Sequence, residues 1–195
     1  MNKKIVIIGG AGFIGHNLGI YLKKLGAEVT LIDSLAINNI NSVIDNKDNL
    51  PNPDLALDFL YERLRLIKKV NIKLIIQDAR DYHALTKILN NIKPQVVIHL
   101  AAVSHSNRSN KDPYSTFDHS FRTLENALDC SKNKVEQFIY FSSSMVYGNF
   151  NEKNVDEETN CNPLGIYGAL KFSGEKLVIG YNQVFDLPYT IIRPS

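Results

Sequence analysis

An alternation constrains this chain more than any other feature. Six short runs rich in β-branched residues, Lys4 to Ile8, Glu28 to Ile32, Ile72 to Ile76, Val96 to Leu100, Phe138 to Ser142 and Tyr189 to Ile192, alternate with longer stretches. Those between them, Phe13 to Leu25, Asp81 to Asn91, Pro113 to Ser131 and Leu164 to Val184, carry apolar residues at helical spacing. Continuous apolar runs suit strands covered on both faces. Strand and helix in turn, joined by right-handed crossovers, give a parallel sheet between two helical layers. The sequence therefore predicts a doubly wound parallel α/β fold in one domain over 1–195, a length that leaves little for a second domain. One connection breaks the rhythm. After Asp33 a polar, Asn-rich stretch, Ser34 to Pro53, leads into a helical pattern at Leu55, Phe59, Leu60, Leu64 and Ile67. This insertion at about 34–70 reads either as a surface addition with one packed helix or as a segment that borders a ligand and helps to close its site.

Composition narrows the function. With 44% apolar and 22% charged residues and a formal net charge of +2, the lysines dispersed among acids, no basic face is offered to nucleic acid. No stretch reaches the roughly 18 apolar residues of a membrane span, and MNKKIVIIGG runs straight from two lysines into a strand, which points to the cytoplasm. Cys130 and Cys161 stand apart from each other and from any Cys/His cluster, so neither a disulfide framework nor a metal site is expected.

The first chemical signal is Gly9-Gly10-Ala11-Gly12-Phe13-Ile14-Gly15, placed directly after a strand and before a helix. Gly9 permits the tight turn, Gly12 lets backbone N–H groups approach a pyrophosphate, and Gly15 allows the helix to pack closely on the strand. The helix amino terminus adds unpaired N–H groups and the positive end of its dipole. Asp33 closes the second strand about 20 residues later, where a carboxylate accepts hydrogen bonds from ribose hydroxyls and repels a 2′-phosphate, favouring NAD over NADP. Asp78, just past the third strand, either reaches an adenine amino group or caps a turn. Ala101-Ala102 after the fourth strand leave room for a cofactor or serve as ordinary core.

The second signal is Tyr167-Gly168-Ala169-Leu170-Lys171, which puts a phenol and an ammonium on one helix face. A nearby cation lowers a phenol from its usual pKa of about 10, and on this reasoning Lys171 makes Tyr167 a proton acceptor. The third is Ser142-Ser143-Ser144-Met145-Val146-Tyr147-Gly148 at the end of the fifth strand, where hydroxyls point into the crevice of such a fold.

In order along the chain, GGAGFIG from Gly9, Asp33, QDARD with Asp78, HLAAVSH from His99, SSSMVYG from Ser142, YGALK from Tyr167 and IIRPS at the end resemble the extended short-chain dehydrogenase/reductase family, in its nucleotide-sugar epimerase and dehydratase branch. The resemblance implies a Rossmann fold in which Gly9, Gly12, Phe13, Ile14, Gly15, Asp33, Asp78, Ala79, Leu100, Ala101, Ala102, Tyr167, Lys171 and Pro194 hold NAD. Ser143, Tyr167 and Lys171 would be catalytic, with Lys171 on the nicotinamide ribose, and Ser104, His105, Ser143 and Ser144 would face a nucleotide sugar. Tyr167, aided by Ser143, would take the proton of a sugar hydroxyl, at C4 in many members, to form a keto sugar that is reduced again from its other face.

The 4,6-dehydratases of the family carry Thr-Asp-Glu before Val-Tyr-Gly, because elimination of water needs a further acid and base. Here Ser143-Ser144-Met145 stand there, which favours an epimerase, while Ser104, His105, Arg108 and Ser109 are similar to a dehydratase pattern. The segment after Asp33 is similar to the insertion of UDP-glucuronate 4-epimerases. Where the family commonly has Asn-Val-x-Gly-Thr, this chain has His119-Ser120-Phe121-Arg122-Thr123, and Ile8 replaces the usual Thr before the glycines. The resemblance also implies that a carboxyl-terminal substrate-binding part is missing. A dehydratase or reductase of the same family and a non-catalytic NAD-binding module stay open beside the epimerase, as do a monomer and a homodimer through helices 113–131 and 163–184.

Overall fold

The structure is a computed structural model that describes residues 3–37, 39–103, 106–149 and 154–195. Its strands are β1 (Lys4–Ile8), β2 (Glu28–Asp33), β3 (Lys73–Ile76), β4 (Val96–His99), β5 (Gln137–Phe141) and β6 (Tyr189–Ile192). They form one parallel sheet in the order β3-β2-β1-β4-β5-β6, so the order reverses beside β1. The central strand β1 shows why its sequence is apolar without interruption. In β1, Val6 and Ile8 join one core layer with Ile32, Val97, Phe138 and Tyr140. Ile5 and Ile7 join the other with Val29, Leu31, Val96 and Ile98. Side chains two apart share a face, and here both faces are covered.

The helices are α1 (Phe13–Lys24), α2 (Ile40–Ile44), α3 (Pro53–Lys69), α4 (Tyr82–Ile92), α5 (Ser106–Lys111), α6 (Pro113–Phe117), α7 (Thr123–Ser131) and α8 (Gly165–Phe185). Their ends follow local chemistry. Proline opens α3 in its first turn, the Asp81 carboxylate accepts from the Ala84 amide at the start of α4, and Asp186 in the left-handed region ends α8.

Two expected elements come out differently. The helix expected over Pro113 to Ser131 is α6 and α7 joined by a widened π-turn at Asp118–Arg122. Side chains compete with the backbone there: the Thr123 hydroxyl donates to the carbonyls of His119 and Ser120, and the Ser120 hydroxyl accepts from the Val103 amide. The stripe of Phe117, Phe121, Leu124 and Leu128 divides accordingly. Leu124 and Leu128 are core, whereas Phe117 and Phe121 stack on each other outside it, with Phe117 44% exposed.

The insertion contains α2 as well as the expected α3. Ile40 and Val43 of α2 pack on Leu60 of α3 in a small core of their own. Asn39, buried before α2, donates from Nδ2 to the Ala11 carbonyl at 3.2 Å, which ties the insertion to the glycine turn.

Candidate active site

The carboxyl ends of the strands open into a cleft of about 850 Å³ where the strand order reverses. Gly9, Gly12, Phe13, Ile14, Gly15, Asp33, Asp78, Ala79, Leu100, Ala101, Ala102, Ser143, Ser144, Tyr167, Lys171 and Pro194 all line it. Ser104 and His105 lie outside the described residues.

At the α1 end the wall is backbone. Gly9 has φ +82°, and a Cβ there would meet the Ala101 nitrogen at 2.7 Å. A Cβ on Gly15 would come within 2.6 Å of the Gly9 carbonyl. Only residues without side chains let the turn close and α1 dock. No side chain caps α1, and its first turn holds no acid, so the helix terminus presents N–H groups and positive potential to the cleft. Asp33 accepts from the Ala11 amide at 2.9 Å through Oδ2 and from the Leu35 amide at 2.8 Å through Oδ1. Burial raises its carboxyl above the usual range, with those two amides opposing the rise.

Asp78 is in the cleft but is not a free carboxylate. Arg80 bonds it through Nε and Nη2, and the Arg80 amide donates to Oδ1, so the turn-cap reading is realised. Burial raises the Asp78 carboxyl, but the guanidinium and amide of Arg80 outweigh it and hold it below the usual carboxylate range. Arg80 also reaches Asp118 at 2.6 Å, joining the strand end to the π-turn. Sequence reading missed Arg80; its place two residues after Asp78 was the available signal.

At the far end stand Ser143, Tyr167 and Lys171. Ser143 opens a 3-10 turn, Ser144–Val146, and its Oγ accepts from the Met145 amide at 3.2 Å, leaving its hydroxyl hydrogen to donate elsewhere. Gly168 allows α8 to sit against this loop, since a Cβ there would meet the Met145 carbonyl at 2.7 Å. Burial raises the Tyr167 phenol, while the Ser143 hydroxyl draws it down. Lys171 is 5% exposed and donates from Nζ to the Phe141 carbonyl at 2.6 Å. Its ammonium lies 5.1 Å from the centre of the Tyr140 ring, and burial lowers its pKa to about 8.

The expectation that Lys171 lowers the Tyr167 phenol is corrected here. The spacing of four does bring both residues to the cleft, but the ammonium is turned to a carbonyl and a ring, and desolvation governs the phenol. The neighbouring Ser142 hydroxyl, also in the cleft lining, is buried with no partner among the described residues. Beneath the cleft the buried His99 ring packs against Phe138 and Tyr140. Burial, with the Lys171 charge, pushes it down to about 3, so it stays neutral. One ion pair supports the site from outside. Arg193 grips Glu175 at 2.9 and 2.8 Å and also donates to the Tyr147 hydroxyl, fastening α8 to the segment after β6.

An uncapped helix terminus behind a glycine turn, an acid at the next strand end and a Ser/Tyr/Lys cluster across a switch point together define a dinucleotide-binding domain. The chain belongs to the NAD dependent epimerase/dehydratase family, which it matches over residues 5–195. It is 33% identical to protein CapI of Staphylococcus aureus, over 97% of this chain and 53% of that protein. It is 31% identical to the dTDP-D-glucose 4,6-dehydratase of Dictyostelium discoideum, over 99% of this chain and 43% of that one.

Among solved structures, the UDP-glucuronic acid 4-epimerase of Bacillus cereus in complex with UDP-glucuronic acid and NAD is similar at 28% identity and a TM-score of 0.78, over 97% of this chain and 55% of that one. The UDP-Glc/GlcNAc 4-epimerase of Campylobacter jejuni shares the fold with a TM-score of 0.81 at 22% identity, covering 98% of this chain and 53% of that one. The chain spans about half the length of the curated relatives it matches. Among the described residues no helix is long and apolar enough to cross a membrane.

Proposed function

We propose that this chain is the NAD-binding catalytic part of a nucleotide-sugar epimerase that oxidises a sugar hydroxyl, at C4, to a ketone and reduces it again from the other face. The observation that carries the reading is the meeting of Ser143, Tyr167 and Lys171 in the same cleft as the uncapped α1 terminus. The cleft fits the dinucleotide, because the glycine positions leave room that a Cβ would fill and no acid opposes a pyrophosphate at α1. Gly12, Phe13, Ile14 and Gly15 would hold the pyrophosphate, Asp33 a ribose, and Asp78, Ala79, Leu100, Ala101, Ala102 and Pro194 would flank the cofactor. When bound, NAD supplies the acceptor and donor of hydride.

Tyr167 is the base for the sugar hydroxyl. Ser143, whose lone pair is engaged by the Met145 amide, donates to the phenolate or to the sugar oxygen and so steadies the charge as it moves. Lys171 holds a ribose hydroxyl and keeps positive charge at this end of the cleft. Ser143 and Ser144 face the nucleotide sugar.

The Dictyostelium relative makes a 4,6-dehydratase the second reading. Ser144 and the exposed thioether of Met145 offer no carboxyl group for the extra proton transfers, which supports the epimerase. Two free thiols fit a cytoplasmic setting. Pairing of two copies through helices 113–131 and 163–184 is supported by Tyr114, Phe117 and Val184, which are 86%, 44% and 71% exposed.

The test is incubation of a full-length version of the protein with a panel of UDP-, GDP- and dTDP-sugars. The reading expects interconversion of one pair of C4 epimers, lowered about 10²- to 10⁴-fold in Tyr167→Phe with NAD still bound. A 4-keto-6-deoxy product supports the dehydratase instead. NAD binding without any turnover supports a non-catalytic module, and unchanged turnover in Tyr167→Phe removes the base assignment.

A further inference from the structure

The insertion between β2 and β3 brings into the cleft a side chain that no sequence motif marks. Arg63 of α3 lines the cleft together with Asp33, Ser34 and Ile37. Its guanidinium carbon lies 5.8 Å from the centre of the Phe13 ring. Phe13 is the first residue of α1, so the cation rests beside the same uncapped helix terminus that faces the cleft.

Four further observations give this placement weight. Arg63 is half-buried, yet among the described residues no carboxylate pairs with it, and its sequence neighbour Glu62 is taken by Arg65. The other cation in the cleft lining, Lys171, belongs to the opposite end and is bonded to the Phe141 carbonyl. The segment carrying Arg63 is also held in place: Ile40 and Val43 of α2 pack on Leu60, one helical turn before Arg63, and Asn39 bonds the Ala11 carbonyl of the glycine turn at 3.2 Å. A second groove, of about 940 Å³ between α1, α2 and α3, adjoins the cleft, and Phe13 and Arg63 are the two residues that line both. The pair therefore forms the rim between them.

A half-buried guanidinium without an anionic partner, fixed next to a helix terminus that attracts anions, is complementary to a phosphate. We propose that Arg63 binds the adenosine-side phosphate of the dinucleotide, so that the insertion is part of the cofactor site. This rests on the NAD-binding reading above. The planar fork of Arg63 donates to the phosphate oxygens while its face stays against Phe13, and the helix terminus donates from the other side.

Calorimetric titration of the whole chain with NAD, ADP-ribose, adenosine and NADP tests the assignment. In Arg63→Ala, NAD and ADP-ribose bind about tenfold more weakly, the scale of one charge-assisted hydrogen bond, while adenosine, which carries no phosphate, binds as before. Arg63→Lys keeps the charge without the fork and loses roughly threefold. Both variants melt with the wild type, and the salt dependence of NAD binding is shallower in Arg63→Ala. NAD bound equally by wild type and Arg63→Ala overturns the assignment and leaves the cofactor reading standing. An equal loss for adenosine and ADP-ribose overturns the phosphate in favour of stacking on the base. NADP bound more tightly than NAD by the wild type, with that preference lost in Arg63→Ala, overturns it in favour of a 2′-phosphate. A wild-type chain that binds none of the four ligands defeats the cofactor reading and this assignment together.

Discussion

At the α1 end of the cleft the groups aimed at a ligand are backbone, fixed by Gly9 and Gly15 and by hydrogen bonds that hold Asp33 between the Ala11 and Leu35 amides. At the Tyr167 end they are side chains on α8 and on the loop after β5, and burial has moved their ionisation the wrong way for catalysis. The phenol is raised and the ammonium lowered to about 8. The first end is finished before any ligand arrives. On the function proposed above, the second needs positive charge beside the phenol before Tyr167 can act as a base, and NAD, when bound in its oxidised form, would supply it. That proposal links cofactor binding to proton transfer, because burial favours the protonated phenol in the free chain.

Breaking the backbone end has the largest effect. Gly9→Val puts a β-branched residue at φ +82° and a Cβ within 2.7 Å of the Ala101 nitrogen. It lowers stability by about 3–4 kcal/mol and NAD affinity by more than about a hundredfold, read by thermal melting and calorimetry. Tyr167→Phe, by contrast, leaves NAD affinity within about twofold of wild type, because in the proposed function its hydroxyl carries a proton and holds no part of the phosphate site.

Lys171 sharpens the comparison through pH. Below about 8 the ammonium is charged in the folded and unfolded chain alike, and burial charges folding with its desolvation. Between about 8 and 10.5 the folded chain has released a proton that the unfolded chain still holds, so stability from this group rises with pH. Wild type should therefore gain roughly 3 kcal/mol relative to Lys171→Met between neutrality and pH 10.5, measured by urea unfolding. Equal pH dependence in the two proteins would mean that the ammonium is solvated.

Asp33 gives a smaller effect at the other end. Its replacement by Ala weakens NAD about tenfold and removes the preference for NAD over NADP, by calorimetry. Because burial raises the carboxyl and ribose hydroxyls favour its ionised form, NAD affinity in wild type falls as the pH drops through the raised pKa. In Asp33→Asn that fall is absent. Equal affinity for both cofactors in wild type would contradict the role given to Asp33.

Much of this was legible in the residues. All six strands were located to within a residue at each end; in the central strands burial on both faces writes itself as unbroken β-branched runs such as KIVII. The cleft residues were legible for the same reason. Strand ends and the glycine turn are fixed by topology, and Tyr167 and Lys171 by helical spacing.

What stayed hidden depends on partners distant in sequence. Apolar spacing runs unbroken through Pro113 to Ser131, so the π-turn, produced by Ser120 and Thr123 bonding backbone groups, leaves no trace in periodicity. The pairing of Arg80 with Asp118 and of Glu175 with Arg193, and the approach of Arg63 to Phe13 across the insertion, likewise follow from tertiary contact. The direction of the Lys171 ammonium was misjudged for a related reason. Spacing on a helix gives the face a side chain leaves from, and the Phe141 carbonyl decides where the charge settles.

The linkage between cofactor and base is tested most directly by titrating the Tyr167 phenol itself, as the ultraviolet difference between wild type and Tyr167→Phe, with and without saturating NAD. Ionisation above the usual tyrosine range is expected in the free chain, with a downward shift of at least about one pH unit when NAD is bound. A phenol that titrates at the same pH in both states would contradict it.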